Sequence, residues 1–176
     1  MTETYESRRN ADAGATTDEY TPSTAGIGLT VAVGLFGAVS TLLAGVWLGL
    51  AGVVLAGSGV YRGSRQLLGV GVVVLFGSVV VAGLLSVPGV VLVPAMVGTV
   101  LAWDVGENAV TVGEQFSAAA ETWRGELVHA TVSALVVTLF AVGAFAVYTI
   151  STGGYPLAAV ALAVVGALVV LVGLGR

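Results

Sequence analysis

The chain has no cysteine and no lysine, and only one histidine among its 176 residues. Without cysteine there is no disulfide, no thiolate nucleophile and no cysteine-ligated metal. A single histidine also excludes a metal site built from several imidazoles. The net charge of −4 disfavours binding to phosphate backbones, so we expect no nucleic-acid partner. The composition indicates no cofactor.

Charged residues are also scarce. They make up 9% of the chain, against 57% hydrophobic residues, and the mean hydropathy is +1.03. Soluble domains carry roughly 25% charged residues, which they need to cover a surface that faces water. The composition therefore predicts that lipid, and not water, surrounds most of the chain.

The few charges are confined to short islands. They lie in residues 1–25, at Arg62 and Arg65, in residues 104–129, and at Arg176. Charge is costly in the middle of a bilayer, so this confinement is typical of a membrane protein. Residues 1–25 are rich in Thr, Ser, Asp and Glu, and we expect a disordered, acidic, cytoplasmic tail. Residues 26–176 are expected to form the transmembrane domain.

Three uncharged blocks separate the islands, and each is too long for one crossing of a hydrocarbon core roughly 30 Å thick. Strong turn signals divide the second block at 86–89 and the third at 151–156. The first block has weaker candidates, at 40–45. The sequence predicts an all-α fold, an integral membrane bundle of six transmembrane helices in three hairpins. The predicted spans are about 26–42, 45–61, 67–85, 89–104, 128–149 and 156–174.

The arginines give the orientation. With six crossings, all six arginines lie on one side of the membrane, and an excess of arginine in short loops marks the cytoplasmic side. We therefore expect a multi-pass protein of the cell membrane with both termini in the cytoplasm.

The 104–129 island has a helical pattern. Glu107, Glu114 and Glu121 recur every seven residues, opposite an apolar stripe that includes Val105 and Ala109. We expect a cytoplasmic amphipathic helix over about 105–126, lying along the membrane face. Alternatively, the neighbouring crossings extend out of the membrane as a helical hairpin. The glutamate row is either a solvated face or a docking surface for a basic partner or a divalent cation.

This island supplies every candidate for an interaction site. His129 is expected to pair with Glu126, and Arg124 with Glu121 one turn away. A metal or acid–base role for His129 would need Asp104 or Glu107 to approach it. The candidate residues are Asp104, Glu107, Glu114, Glu121, Arg124, Glu126 and His129.

The predicted spans contain no ionisable residue in their interiors, which disfavours proton relays, ion-coupled carriers and voltage sensors. Hydroxyl groups such as those of Ser78 and Thr99 are expected to bond to a carbonyl of their own helix. The 26 glycines are expected to pack the helices of one chain closely, with an oligomer interface as the alternative. The oligomeric state stays open.

Two stretches carry a resemblance: Ala102-Trp-Asp-Val-Gly-Glu-Asn-Ala109 and Glu121-Thr-Trp-Arg-Gly-Glu-Leu-Val-His-Ala130. With the lysine-free, Val/Ala/Gly-rich spans and the acidic tail, the chain resembles a family of small multi-pass membrane proteins of halophilic archaea. The resemblance implies the source and membrane residence, but no mechanism. Members accompany a chaperone-type AAA ATPase and its adaptors, which implies a role in assembly at the membrane.

Three functions follow from these patterns. The first is a non-enzymatic scaffold or accessory subunit, whose acidic helix contacts a soluble cytoplasmic partner. The second is a transporter or channel for a small neutral solute, with a path lined by hydroxyl groups. The third is a membrane enzyme that uses Asp104, Glu107 and His129. The absence of buried charge favours the first.

Overall fold

The computed structural model describes residues 23–42, 46–115 and 123–151. Within these ranges every regular element is an α helix, which confirms the all-α prediction. The helices are α1 (Thr24–Leu42), α2 (Leu48–Tyr61), α3 (Arg65–Leu84), α4 (Gly89–Gln115) and α5 (Trp123–Ser151). The chain forms two compact units, Met1–Val137 and Thr138–Arg176. All contacts described below lie in the first unit; of the second, the structure describes the remainder of α5.

The prediction of six transmembrane helices is wrong. Among the described residues, four helices are long and apolar enough to cross a membrane, namely α1, α3, α4 and α5. The first block does hold two helices, but α2 has only 14 residues and measures about 21 Å at 1.5 Å per residue. Helix α2 begins at Leu48 and ends at Tyr61, the last residue of the block. The predicted span 156–174 lies outside the described residues.

Two turns end their helices with a residue of positive φ. Between α2 and α3 it is Gly63, with φ 64°, and Ser64 then caps α3 by accepting a hydrogen bond from the Leu67 amide at 3.3 Å. Between α3 and α4 it is Ser86, with φ 62°. The Pro88 carbonyl accepts the Val91 amide at 2.9 Å as α4 begins. The turn predicted at 86–89 is therefore confirmed.

Helix α4 does not stop at the predicted membrane boundary. It continues through Trp103 to Gln115, a length of about 40 Å, which exceeds a hydrocarbon core of roughly 30 Å. A separate amphipathic helix over 105–126 is therefore wrong for the described residues, because 105–115 belongs to α4 and 123–126 to α5. Val105 and Ala109 of the apolar stripe are 2% and 1% exposed. Both side chains are buried inside the protein.

The helices pack through glycines. At the α1–α4 crossing, a Cβ built on Gly98 would lie 2.5 Å from the Gly37 amide nitrogen. Between α2 and α3, a Cβ on Gly71 would lie 2.3 Å from the Ala56 nitrogen. Contacts this short need hydrogen in place of a side chain, and small residues bring helix backbones together in the same way within membranes. At these positions the glycines pack helices of one chain, as predicted.

Candidate functional site

The charged residues of the described chain gather at one end of the first unit. We call this the polar end: the start of α1 at Gly26, the turn from Arg62 to Arg65, residues 104–115 of α4 and residues 123–130 of α5. It brings the second and third charged islands together, as the sequence predicted. Residues 1–22 of the predicted tail lie outside the described residues.

Arg65, the first residue of α3, binds one face of α4. Its guanidinium donates hydrogen bonds to the carboxylates of Glu107 and Glu114, with the Glu114 contact at 2.8 Å. Nη2 also donates to the Thr111 hydroxyl at 3.2 Å. Thr111 and Glu114 lie four and seven residues after Glu107, so the helix presents the three acceptors in one row. We call this group the Arg65 clamp.

The Arg65 clamp changes the interpretation of the glutamate row. Glu107 and Glu114 share a face, as predicted, while Glu121 lies outside the described residues. Neither described glutamate is a free docking group, because the partner is an arginine of the same chain. The described residues also contain no cluster of three or more His, Asp or Glu side chains that could hold a metal ion. A divalent-cation site therefore gains no support from this face.

A second contact joins α4 to α5. His129 Nε2 lies 3.0 Å from Asp104 Oδ2, and neither atom is accessible to solvent. The approach of Asp104 to His129 is what the acid–base hypothesis required. The enzyme hypothesis also uses Glu107, and the Glu107 carboxylate is bound by Arg65.

Glu126 occupies the most enclosed acidic position of the polar end. It is 3% exposed, and a Cβ built on Gly26 would lie 2.7 Å from its Oε2. Gly26 belongs to the first turn of α1, where the Ser23 hydroxyl accepts the Gly26 amide at 3.2 Å. The positive end of a helix dipole stabilises a nearby carboxylate. The Glu126 side chain at the start of α5 therefore packs against the first turn of α1.

Arg124 is exposed, and its guanidinium lies 5.3 Å from the centre of the Trp123 ring. This distance is within the range of a cation–π interaction. Its predicted partner, Glu121, lies outside the described residues. Arg124 and Trp123 therefore form an exposed pair on the first turn of α5.

The buried hydroxyl groups in the apolar part bond within their own helices. Thr30 donates to the Gly26 carbonyl at 2.8 Å, Ser78 to Leu75 at 2.6 Å and Thr99 to Ala95 at 2.9 Å. Thr41 does the same with Ala38 at 2.9 Å. Each of these four hydroxyls donates within its own helix, as the sequence predicted for Ser78 and Thr99.

The roles of Arg65 and Thr111 are not predicted by the sequence. The sequence pattern makes Arg65 a marker of membrane orientation and does not distinguish Thr111 from other hydroxyl residues. The helical period of residues 104–115 contained a usable signal, because Thr111 falls on the same face as Glu107 and Glu114. The sequence does not indicate which arginine contacts that face of α4.

Comparison with known proteins identifies the family. The chain belongs to a family of unknown function, DUF7519, whose match covers residues 20–171. No curated protein matches it. No solved structure matches it either.

Proposed function

We propose that this member of a family of unknown function is a non-enzymatic membrane scaffold or accessory subunit whose polar end contacts a soluble partner. The observation that carries the proposal is the segregation of charge. The charged side chains of the described residues lie at the polar end, whereas long apolar helices with self-satisfied hydroxyls make up the remainder. Among the described residues, this end presents the charged groups that a partner in water could recognise.

The docking surface we propose differs from the acidic row expected from the sequence. The clamp balances Glu107 and Glu114 against Arg65, so this part of α4 carries a net charge of only about −1 by formal charge. Glu114 of the clamp is nevertheless half-exposed near the end of α4, and the Trp123–Arg124 pair is exposed on the first turn of α5. Aromatic and arginine side chains are enriched in protein interfaces. We therefore propose a mixed surface centred on the ends of α4 and α5.

We place the polar end on the cytoplasmic side of the cell membrane. Arg62, Arg65 and Arg124 all belong to it, and arginine in short loops marks that side. Because α1 starts at this end, the N-terminal tail would also be cytoplasmic. A cytoplasmic C-terminus, an AAA ATPase partner and a halophilic archaeal source stay predictions from the sequence.

The two other functions have less support. A path for a neutral solute would need polar groups that are free to bind it, but the four buried hydroxyls donate to their own helices. An enzyme that uses Asp104, Glu107 and His129 would need all three at one place, but Arg65 binds Glu107. Full rescue of a deletion phenotype by His129→Ala would agree with the scaffold.

Site-specific photocrosslinking tests the docking surface. A photoreactive residue at position 114 or 124 should yield a discrete protein adduct in native membranes. The matched control is position 84, since Leu84 is 80% exposed at the opposite, apolar end. That position should yield lipid adducts. Recovery of lipid alone from 114 and 124 as well would overturn the proposal.

A further inference from the structure

An apolar groove of about 410 Å³ lies between α3 and α4. Helix α3 contributes Val72 and Phe76, and α4 contributes Met96, Val100 and Trp103. Asp104 lines the groove at the end nearest the charged cluster. Thr99 also lines the groove, but its hydroxyl donates to the Ala95 carbonyl. The groove is therefore mostly apolar along its length and acidic at one end.

The shape of the groove follows from helix geometry. Met96, Val100, Trp103 and Asp104 are spaced by four, three and one residues, so they follow one face of α4. From Met96 to Asp104 the groove runs about 12 Å along the helix axis. Its apolar part is directed towards the middle of the candidate span and its acidic end towards the polar end. A lipid in the same leaflet has the same orientation, with its tail inward and its head outward.

The carboxylate of Asp104 can serve a ligand on one side only. Its Oδ2 lies against His129 and is shielded. The Asp104 side chain is nevertheless 40% exposed, which leaves Oδ1 as the oxygen that a ligand can reach. Arg65 does not neutralise this group, since its guanidinium is engaged by Glu107 and Glu114.

Trp103 adds a second feature that suits a cation. Its ring lines the groove beside Asp104 and is 46% exposed. An ammonium group over an indole ring gains cation–π attraction, and more when water is excluded. A carboxylate head would be repelled by Asp104, and a neutral head would use only part of the site.

We propose that the groove between α3 and α4 binds a membrane lipid with an ammonium head, which Asp104 and Trp103 hold while one hydrocarbon chain lies between Phe76 and Val100. This inference rests on membrane residence but not on the docking of a soluble partner. It gives the chain a lipid-recognition site that is separate from the exposed face of the Arg65 clamp.

Fluorescence quenching tests the proposal on the full chain in vesicles of an uncharged glycolipid. The probes are brominated amphiphiles of one chain length, with a trimethylammonium, hydroxyl or carboxylate head. One single-tryptophan variant keeps Trp103 and replaces Trp47 and Trp123 with Phe. The matched control keeps Trp123, which also lies at the polar end and is 48% exposed.

The ammonium probe should quench Trp103 at a concentration about fivefold to tenfold lower than the hydroxyl probe, a ratio typical of a partly exposed ion pair combined with a cation–π contact. Trp123 should show no such preference. Asp104→Asn should remove the preference at Trp103 and leave quenching by the hydroxyl probe. Val100→Phe, which fills the groove, should weaken quenching by both.

Equal quenching of Trp103 by the three probes would overturn the proposal, as would a preference that Asp104→Asn retains or that Trp123 shares. If Asp104→Asn does not fold, a competition experiment on the unsubstituted Asp104 protein provides the test. An unbrominated alkyltrimethylammonium should relieve quenching of Trp103 at lower concentration than the matching alcohol, and equal relief would be negative. Neither result depends on the partner crosslinked at position 114.

Discussion

The single arginine at the start of α3 has three acceptors on α4. Most exposed ion pairs contribute little, because water and salt screen them and two flexible chains must be ordered. Arg65 is half-exposed, so each contact is weak alone. However, two carboxylates and a hydroxyl all accept hydrogen bonds from this guanidinium. It therefore links α3 to α4 at the point where both helices leave the predicted hydrocarbon region.

Replacing Arg65 with Ala should therefore lower the free energy of unfolding by about 1 kcal/mol, consistent with a small exposed network. The loss should shrink at high salt. Arg62→Ala is the matched control, because it removes the same charge three residues away and should change stability by less than about 0.5 kcal/mol. Denaturation followed by circular dichroism measures both. Equal losses would mean that net charge, and not the clamp, is responsible.

Gly26 and Gly28 make a stricter comparison on one helix. A Cβ on Gly26 would lie 2.5 Å from the Ala109 Cβ and 2.7 Å from Glu126 Oε2, whereas one on Gly28 meets nothing within 4 Å. Gly26→Ala should destabilise the protein by about 1–3 kcal/mol through overpacking. Gly28→Ala should be neutral or stabilise it by up to about 1 kcal/mol through helix propensity. Equal effects in the same denaturation assay would contradict the close α1–α4–α5 junction.

At the scale of elements, the sequence predicted helix positions better than helix ends. Uncharged runs located α1, α3 and the beginning of α4, because lipid forbids charge within a span. They did not locate the end of α4, since a change from apolar to amphipathic residues marks the membrane surface without breaking a helix. The first block is predicted to hold two helices and does so, but the prediction made the second helix long enough to span the membrane, whereas α2 has only 14 residues. Hydropathy gives the length of an uncharged block and does not show how many of its residues belong to the turn.

The Asp104–His129 and Arg65 contacts were beyond sequence analysis for another reason. Charge confinement predicts that the islands meet at one end, but it does not choose partners within it. The choice depends on how α3, α4 and α5 are rotated about their axes. Close contacts such as Gly37 with Gly98 set that rotation, and 26 glycines offer many alternative pairings.

The continuity of α4 can be measured directly on this cysteine-free chain. Nitroxide labels at successive single cysteines from 100 to 115 should give mobility with one uninterrupted period of about 3.6 residues. The minima should include positions 105 and 109, which are buried. Positions 70–80 of α3 serve as the reference for an ordinary span. A phase break near residue 104 would restore the separate amphipathic helix.

At the scale of the first unit, the described residues form one end that carries charge and one that does not. Both α2 and α3 meet at the Arg62–Arg65 turn, whereas the turn at Ser86 lies at the other end. The orientation of this axis across the membrane decides which compartment a partner must occupy.

Labelling with a membrane-impermeant maleimide fixes that orientation. Cysteines at 62 and 124 should be labelled only after the cells are opened, because the polar end is placed in the cytoplasm. A cysteine at 86 should be labelled in intact cells. A denatured sample controls for the reactivity of each site. Labelling of 62 in intact cells would reverse the proposed orientation, and labelling of both 62 and 86 would refute a single charged side.

The shortness of α2 bears on the surrounding lipid. At about 21 Å it is roughly 9 Å shorter than its neighbour α3, which has 20 residues. Acyl chains beside α2 must compress to match it, since a bilayer adapts its thickness to a protein's apolar height. Compression costs elastic energy that a thinner bilayer does not incur. We therefore expect this protein to favour thin or easily deformed regions of a membrane.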